Sequence, residues 1–470
     1  LTPAQHGILA WEDDPLSGAA PVERPAPGAL PASLPIVIAE HAPSVGVYAP
    51  GTPAFRYWAG VEALTRGVLL WAPHLSARSW AATKRLRVHL DRGEDLNAFY
   101  DRKSLSFFHH GAADAIVYAA ESPDVVCHQL GHAVLDALRP ELWDVMSTEA
   151  AAFHESFADL SSILCGLELE SLRTAVWKET GARLFRSSRL SRLAESLGRA
   201  LRQQRPDLVA HDCLRDAVNA YFYRPPSALP PSGPASQLTA EPANFSRVFT
   251  GGAFEALALM LATAARKPTT KHLLAVARDF AALLVHAVVH TPIVPAYLSQ
   301  IAAHMLEADR SLTKGRYGDA LRTAFVGRGL LSLESATAMP RAVPRPSAQS
   351  RRGAAPLPAA PLELVRFAGS TLGLGRRVLA VRAPAEAPAI GAVGSALSVG
   401  EARTAHPDEA TQAFVEYLVR RGRVDFGRYG EHERTPAHPR TRKTHVVEER
   451  GARLELVRRC FDCGLDPGWG

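Results

Sequence analysis

"DVVCHQLGHAVLDALRPELWD", residues 124–144, sets two histidines, His128 and His132, four positions apart in a stretch with helical apolar periodicity. Ser122, Pro123 and Asp124 supply a helix start before it, and Arg139 with Pro140 supplies a stop. On an α-helix, residues i and i+4 share one face about 6 Å apart along the axis, so two imidazoles can converge on one small ion. A third protein ligand must then come from another element, with a fourth position left for water. Asp136 extends the row, but it lies roughly 12 Å along the helix from His128 and cannot share the ion.

The following segment, "AFHESFADL" (residues 152–160), offers Glu155 and Asp159, themselves four apart. A short antiparallel return would carry Glu155 to the ion and leave Asp159 to hold the other ring nitrogen of a ligand histidine, fixing its tautomer. A lone pair of helical histidines is usually incidental. The pair followed at a loop's remove by two such acids points to a zinc site.

These residues resemble the thermolysin-like branch of the gluzincin zinc metallopeptidases. In that family HExxH and a downstream NExxxD-type motif supply two histidines, a glutamate and a supporting aspartate. The resemblance implies His128, His132 and Glu155 as Zn²⁺ ligands, with Asp159 behind a histidine. It covers residues 90–165 well, residues 244–335 faintly, and neither end. "GHAVLDAL" matches the family's continuation past the second histidine, and "NAFYDRKSLSFF" resembles its edge strand. On that resemblance Asn97 and Ala98 would bind an extended peptide by strand addition.

The departures fall on catalysis. Gln129 stands where the family has the general-base Glu. It has nearly the same shape, but an amide cannot take a proton at neutral pH. General-base assistance is worth roughly 10²–10⁴-fold, so turnover should be crippled while metal binding is kept. His154 replaces the Asn that usually precedes the ligand Glu. The segment expected to carry a second, oxyanion-stabilising histidine, "EPANFSRVFTGGAFEAL" (residues 241–257), has none.

Composition sets the frame. The chain has 470 residues, 47% hydrophobic and 21% charged, which suits a globular protein long enough for several domains. A net charge of +6, thinly spread, gives no footprint for nucleic acid. Five cysteines make no disulfide framework, and their odd number suits a reducing compartment. Cys460 and Cys463 form a lone CxxC, read as two free thiols. The first residues show no signal peptide, so a cytoplasmic location is expected, although Leu1 leaves an upstream piece open. The uncharged run at 280–306 contains three His and two Pro, and reads as two buried helices broken near Pro292 and Pro295 rather than a membrane span. His286 and His290, also four apart, read as core or interface residues. His109 and His110 read as exposed, and Cys127 as packed.

The expected architecture is α+β and zincin-like. An irregular arm (1–45) precedes a β-rich lobe (46–122), in which "SVGVYA", "RLRVHL", "SLSFFHH" and "AIVYAA" have strand character. A helical lobe (123–335) follows, with the zinc helix in the cleft between the two. A linker (336–362) then leads to a small mixed segment (363–470). The expected function is that of a zinc-binding, thermolysin-like protein, catalytically impaired or inactive, holding a peptide or protein partner in its cleft. One alternative is an active peptidase using zinc alone or another acid such as Glu149. The other is an assembly protein with a structural metal.

Overall fold

The structure, a computed structural model, describes residues 7–464 apart from 33, 76–79, 81, 112–115, 210, 334–361, 387–405, 431–442 and 452. Over these residues the protein is α+β, with several small sheets among packed helices. The N-terminal arm is mostly irregular but carries short strands. β1 (Gly7–Ala10) and β2 (Val22–Pro25) form an antiparallel hairpin. β1 turns Ile8 and Ala10 onto Phe55, Trp58 and Ala59, and β3 (Ile36–Ile38) follows.

The expected β-rich lobe holds a 19-residue helix, α1 (Pro53–Trp71). Thr52 caps it by accepting from the Phe55 amide, and Pro53 fits the first turn, where no amide donor is needed. "SVGVYA" forms no strand, because it is the approach to this helix. The other runs do pair, as β4 (Leu86–His89), β5 (Ala98–Tyr100), β6 (Ser104–Phe107), β7 (His109–His110) and β8 (Val117–Tyr118). β3, β4 and β6 run parallel, β5 joins β6 antiparallel, and β7 pairs with β8.

α2 (Pro123–Leu138) starts and stops where the sequence places it, with the Ser122 hydroxyl accepting from the Val125 amide. α3 (Thr148–Leu167) is buried along its whole length. Ser162 donates to the Asp124 carbonyl, Asp159 meets His128 and His154 meets His132, so the two helices run antiparallel. Gly131, between the two histidines, makes this approach possible. A Cβ there would sit 2.7 Å from the Ala158 Cα. Only glycine lets the ligand helix lie this close to its neighbour.

Beyond α4 (Glu170–Thr180), β9 (Arg192–Leu193) and α5 (Glu195–Gln204), β10 (Arg215–Asp216) returns antiparallel to β9. α6 (Pro242–Ala264), α7 (Thr270–His290), α8 (Tyr297–Leu312) and α9 (Gly318–Gly327) complete the helical region. The break between α7 and α8 falls at Pro292 and Pro295. α6 and α7 are each long and apolar enough to cross a membrane, and their most apolar windows are 83% and 56% buried inside the protein.

The C-terminal segment is more regular than its sequence suggests. β11 (Glu363–Ala368), β12 (Val378–Ala383), α10 (Pro407–Arg420), β13 (Val424–Asp425), β14 (His445–Arg450) and β15 (Arg453–Arg458) supply a five-stranded sheet in the order β11-β12-β15-β14-β13. The expected linker lies outside the described residues, except for Leu362. The Trp143 indole donates to the Arg458 carbonyl and Arg458 donates back to the Trp143 carbonyl, which clamps this sheet beside the end of α2. One hydrophobic core includes residues from Leu34 to Cys463. The chain then leaves its own sheet, and β16 (Phe461–Asp462) pairs antiparallel with β5.

Candidate metal centre

Two helical turns and their neighbour build the centre. α2 presents His128 and His132, and α3 presents Glu155. Glu155 Oε2 lies 3.6 Å from His128 Nε2, and Oε1 lies 3.7 Å from His132 Nε2. Those gaps are too long for hydrogen bonds. Donors about 2.1 Å from a tetrahedral ion stand roughly 3.4 Å apart, which is close to what is observed. His128 Nε2, His132 Nε2 and Glu155 Oε2 are buried without a hydrogen-bond partner, and one donor atom from each residue falls within 4.8 Å of the others. Three converging, orphaned donors of this chemistry fit a zinc ion.

The atoms behind them fix the tautomers. Asp159 Oδ1 lies 3.1 Å from His128 Nδ1, so that nitrogen carries the proton and Nε2 keeps its lone pair for an ion. His132 Nδ1 lies 3.4 Å from His154 Nδ1. If His132 binds through Nε2, it donates from Nδ1, and neutral His154 accepts. Burial, then the nearby Arg458 and Arg102, hold His154 well below the usual histidine range, so it is neutral. Burial likewise holds His132 well below that range. At His128 burial also lowers the pKa, but Cys463, Asp159 and Glu155 around the ring outweigh it and raise the pKa well above the usual value.

Arg215 is the residue the sequence did not reveal. From β10 its guanidinium donates to both oxygens of Asp159 at 2.8–3.1 Å and stands 3.7 Å from Glu155. Burial would raise both acids, yet both sit below their ordinary values. For Asp159, Arg215 is the chief opposing cause. For Glu155 it is the neighbouring His128 ring, then the charges of His132 and Arg215. Two buried carboxylates call for a cation, but nothing local in "HDCLRDAV" marks which arginine supplies it.

Gln129 is fully buried, and its Nε2 donates to the Ala98 carbonyl at 3.3 Å and to Cys463 Sγ at 2.8 Å. Asn97 is buried on the same edge with its amide unpartnered, and the Ala98 carbonyl also accepts from the Cys463 amide at 2.9 Å. The edge assigned to an extended peptide is therefore paired with β16, in the register Phe461 to Tyr100 and Asp462 to Phe99. Phe461 stacks on His132 at 4.8 Å and on His154 at 4.1 Å, and the Arg458 guanidinium lies over the Phe461 ring, 4.2 Å from its centroid. The thiols of the CxxC are free, and Cys463 is buried beside the centre.

Other candidates lie elsewhere. Glu149 spends its oxygens on the Tyr223 hydroxyl and the Leu298 amide. Asp136 binds Tyr100 and Arg102, tying α2 to β5. His286 and His290 stack at 4.1 Å, and the second nitrogen-bearing ring bonds its own helix through the His286 carbonyl. His109 pairs with Asp91, and Cys127 packs with its thiol toward the Ala63 carbonyl. A cavity of about 640 Å³ opens beside Glu155 and Arg215, walled on its far side by α10, β16 and the loop before β14. The segment 241–257 brings no histidine to it, but His211 and His445 line it, and neither had been expected there. In comparisons with known proteins, no family model and no curated sequence matches the chain.

Proposed function

We propose that this is a thermolysin-like, zincin-type protein that binds Zn²⁺ through His128, His132 and Glu155, and that it holds an extended peptide in its cleft with little or no hydrolysis. The observation that carries the reading is the convergence of His128, His132 and Glu155, one donor atom from each within 4.8 Å of the others and each residue with a buried, partnerless atom, next to an amide where a base would stand. Bound zinc would supply Lewis acidity beside the cavity that Glu155 lines. Asp159 and His154 orient the two imidazoles, and Arg215 keeps both carboxylates ionised. Gln129 can donate a hydrogen bond there but cannot accept a proton. The alternative of a working peptidase loses its named base, because both Glu149 oxygens are already bonded.

The test is elemental analysis of protein purified without chelators, alongside a casein cleavage assay. One equivalent of zinc and no chelator-sensitive cleavage is the expected result, with zinc lost in His132→Ala. No metal in the parent would sink the site, and rapid zinc-dependent cleavage would sink the impaired reading.

A further inference from the structure

The cleft already holds an extended peptide. β16 adds a strand to the free side of β5, the Cys463 amide continues the ladder onto Ala98, and the Phe461 ring covers His132 and His154. Gly464 presses onto Asn97. A Cβ there would come within 2.6 Å of the Asn97 side-chain oxygen, so glycine is what lets the chain lie flat on this edge. Arg423 fixes the other side of the strand by an ion pair to Asp462 at 3.3 Å. This is the hydrogen-bonding mode by which a sheet edge captures a peptide, made here within one chain.

We propose that residues 460–464 are a built-in occupant of the cleft, and that Cys463 Sγ closes the metal site as its fourth ligand. The inference rests on the zinc reading above. Thiolate joins imidazole and carboxylate among zinc's usual donors, and four protein ligands mark a closed site, whereas an open one keeps a water. The sulfur already borders the site: it accepts from Gln129 at 2.8 Å, on the turn of α2 that carries His128 and His132. It is not yet among the atoms grouped within 4.8 Å. A change of χ1 rotamer moves a cysteine sulfur by about 3 Å, and the proposed closure uses such a change. Gln129 has a role that Glu could not fill, because its amide donates to the Ala98 carbonyl and, in the rotamer seen here, to the sulfur, where a carboxylate would repel both. Binding of any other peptide must first displace the segment, so its apparent affinity falls with the fraction of open molecules.

The experiment loads the full chain with Co²⁺ alone and records its spectrum. One equivalent should bind, with a thiolate-to-cobalt charge-transfer band that Cys460→Ser keeps and Cys463→Ser loses. Cys463→Ala gives the same reading if the serine variant does not fold. A peptide hydroxamate should bind Cys463→Ser about tenfold or more tightly than the parent, as expected if under a tenth of parent molecules are open. One equivalent of cobalt without a thiolate band, or a band that survives both cysteine-463 variants, overturns the closure and leaves the three-ligand site standing. Failure to bind cobalt at all overturns both.

Discussion

Two groups of three metal-capable side chains sit about one helical turn apart on α2, and they have opposite electrostatics. His128 and His132 join Glu155, while Asp124, at the start of the same helix, meets Asp13 and Glu195. At the first group the buried Arg215 offsets the negative charge, and its acids lie below their ordinary values. At the second, burial dominates and the acids also repel one another. Asp13 is pushed up to about 7 and Glu195 to about 8, and Asp14 and Asp124 are raised as well. Serine hydroxyls and amides serve Asp14, and one half-buried arginine, Arg192, reaches Glu195. A buried arginine makes a set of charged ligands; without one, similar carboxylates become proton stores.

Removing the arginine should erase the contrast. Arg215→Met leaves Glu155 and Asp159 buried without their cation, and breaking a buried pair from one side costs about 3–5 kcal/mol. Denaturant unfolding of the metal-free protein measures it. A loss under about 1 kcal/mol would mean that Arg215 does not hold the charge balance.

Gln129→Glu sharpens the comparison by planting an uncompensated carboxylate in the compensated site. On shape alone the exchange is almost neutral. In the structure it replaces two donated hydrogen bonds with an acceptor facing the Ala98 carbonyl and Cys463 Sγ. The expected cost is about 1–3 kcal/mol. The displaced segment and the new base should together give slow, chelator-sensitive peptide cleavage. A variant as stable as the parent, with no cleavage, would show that the segment does not press on this position.

A pH series tests the acidic group. A carboxyl raised on folding contributes stability that is complete below its unfolded pKa, near 4, and is lost as pH rises through its folded value. For Asp13 and Glu195 that loss runs from about pH 4 to about 7 and 8. The urea midpoint, measured with chelator present, should therefore be higher at pH 5.5 than at pH 8.5. The double variant Asp13→Asn, Glu195→Gln should flatten the slope, and an unchanged slope would place the proton uptake elsewhere.

What the sequence discloses follows the range of the interactions. The bounds of α2, its cap, and the convergence of its histidines with Glu155 depend on residues within about thirty positions, so they could be read locally. α1 was missed because Gly60 and Gly67, and its aromatic and β-branched residues, weaken its helical propensity, and burial pays for what propensity lacks. Arg215 comes from a two-residue strand, 56 positions from Asp159, and nothing near it signals the partner. β16 is also two residues long, and no pattern that short has a register to read.

The pairing of Phe461 with Tyr100 spans 361 positions (461 − 100), and this sets an order of events during synthesis. At the ribosome's pace of about 5–20 residues per second, β5 emerges roughly 20–70 s before the strand that will cover it. Throughout that interval the backbone groups of Ala98 to Tyr100 face outward and accept any extended chain of suitable shape. A second nascent copy can supply its own residues 460–464 as readily as a foreign peptide can, and the exchange would yield a swapped dimer with each cleft filled by its neighbour. Crowded polysomes should therefore enrich such dimers over dilute refolding.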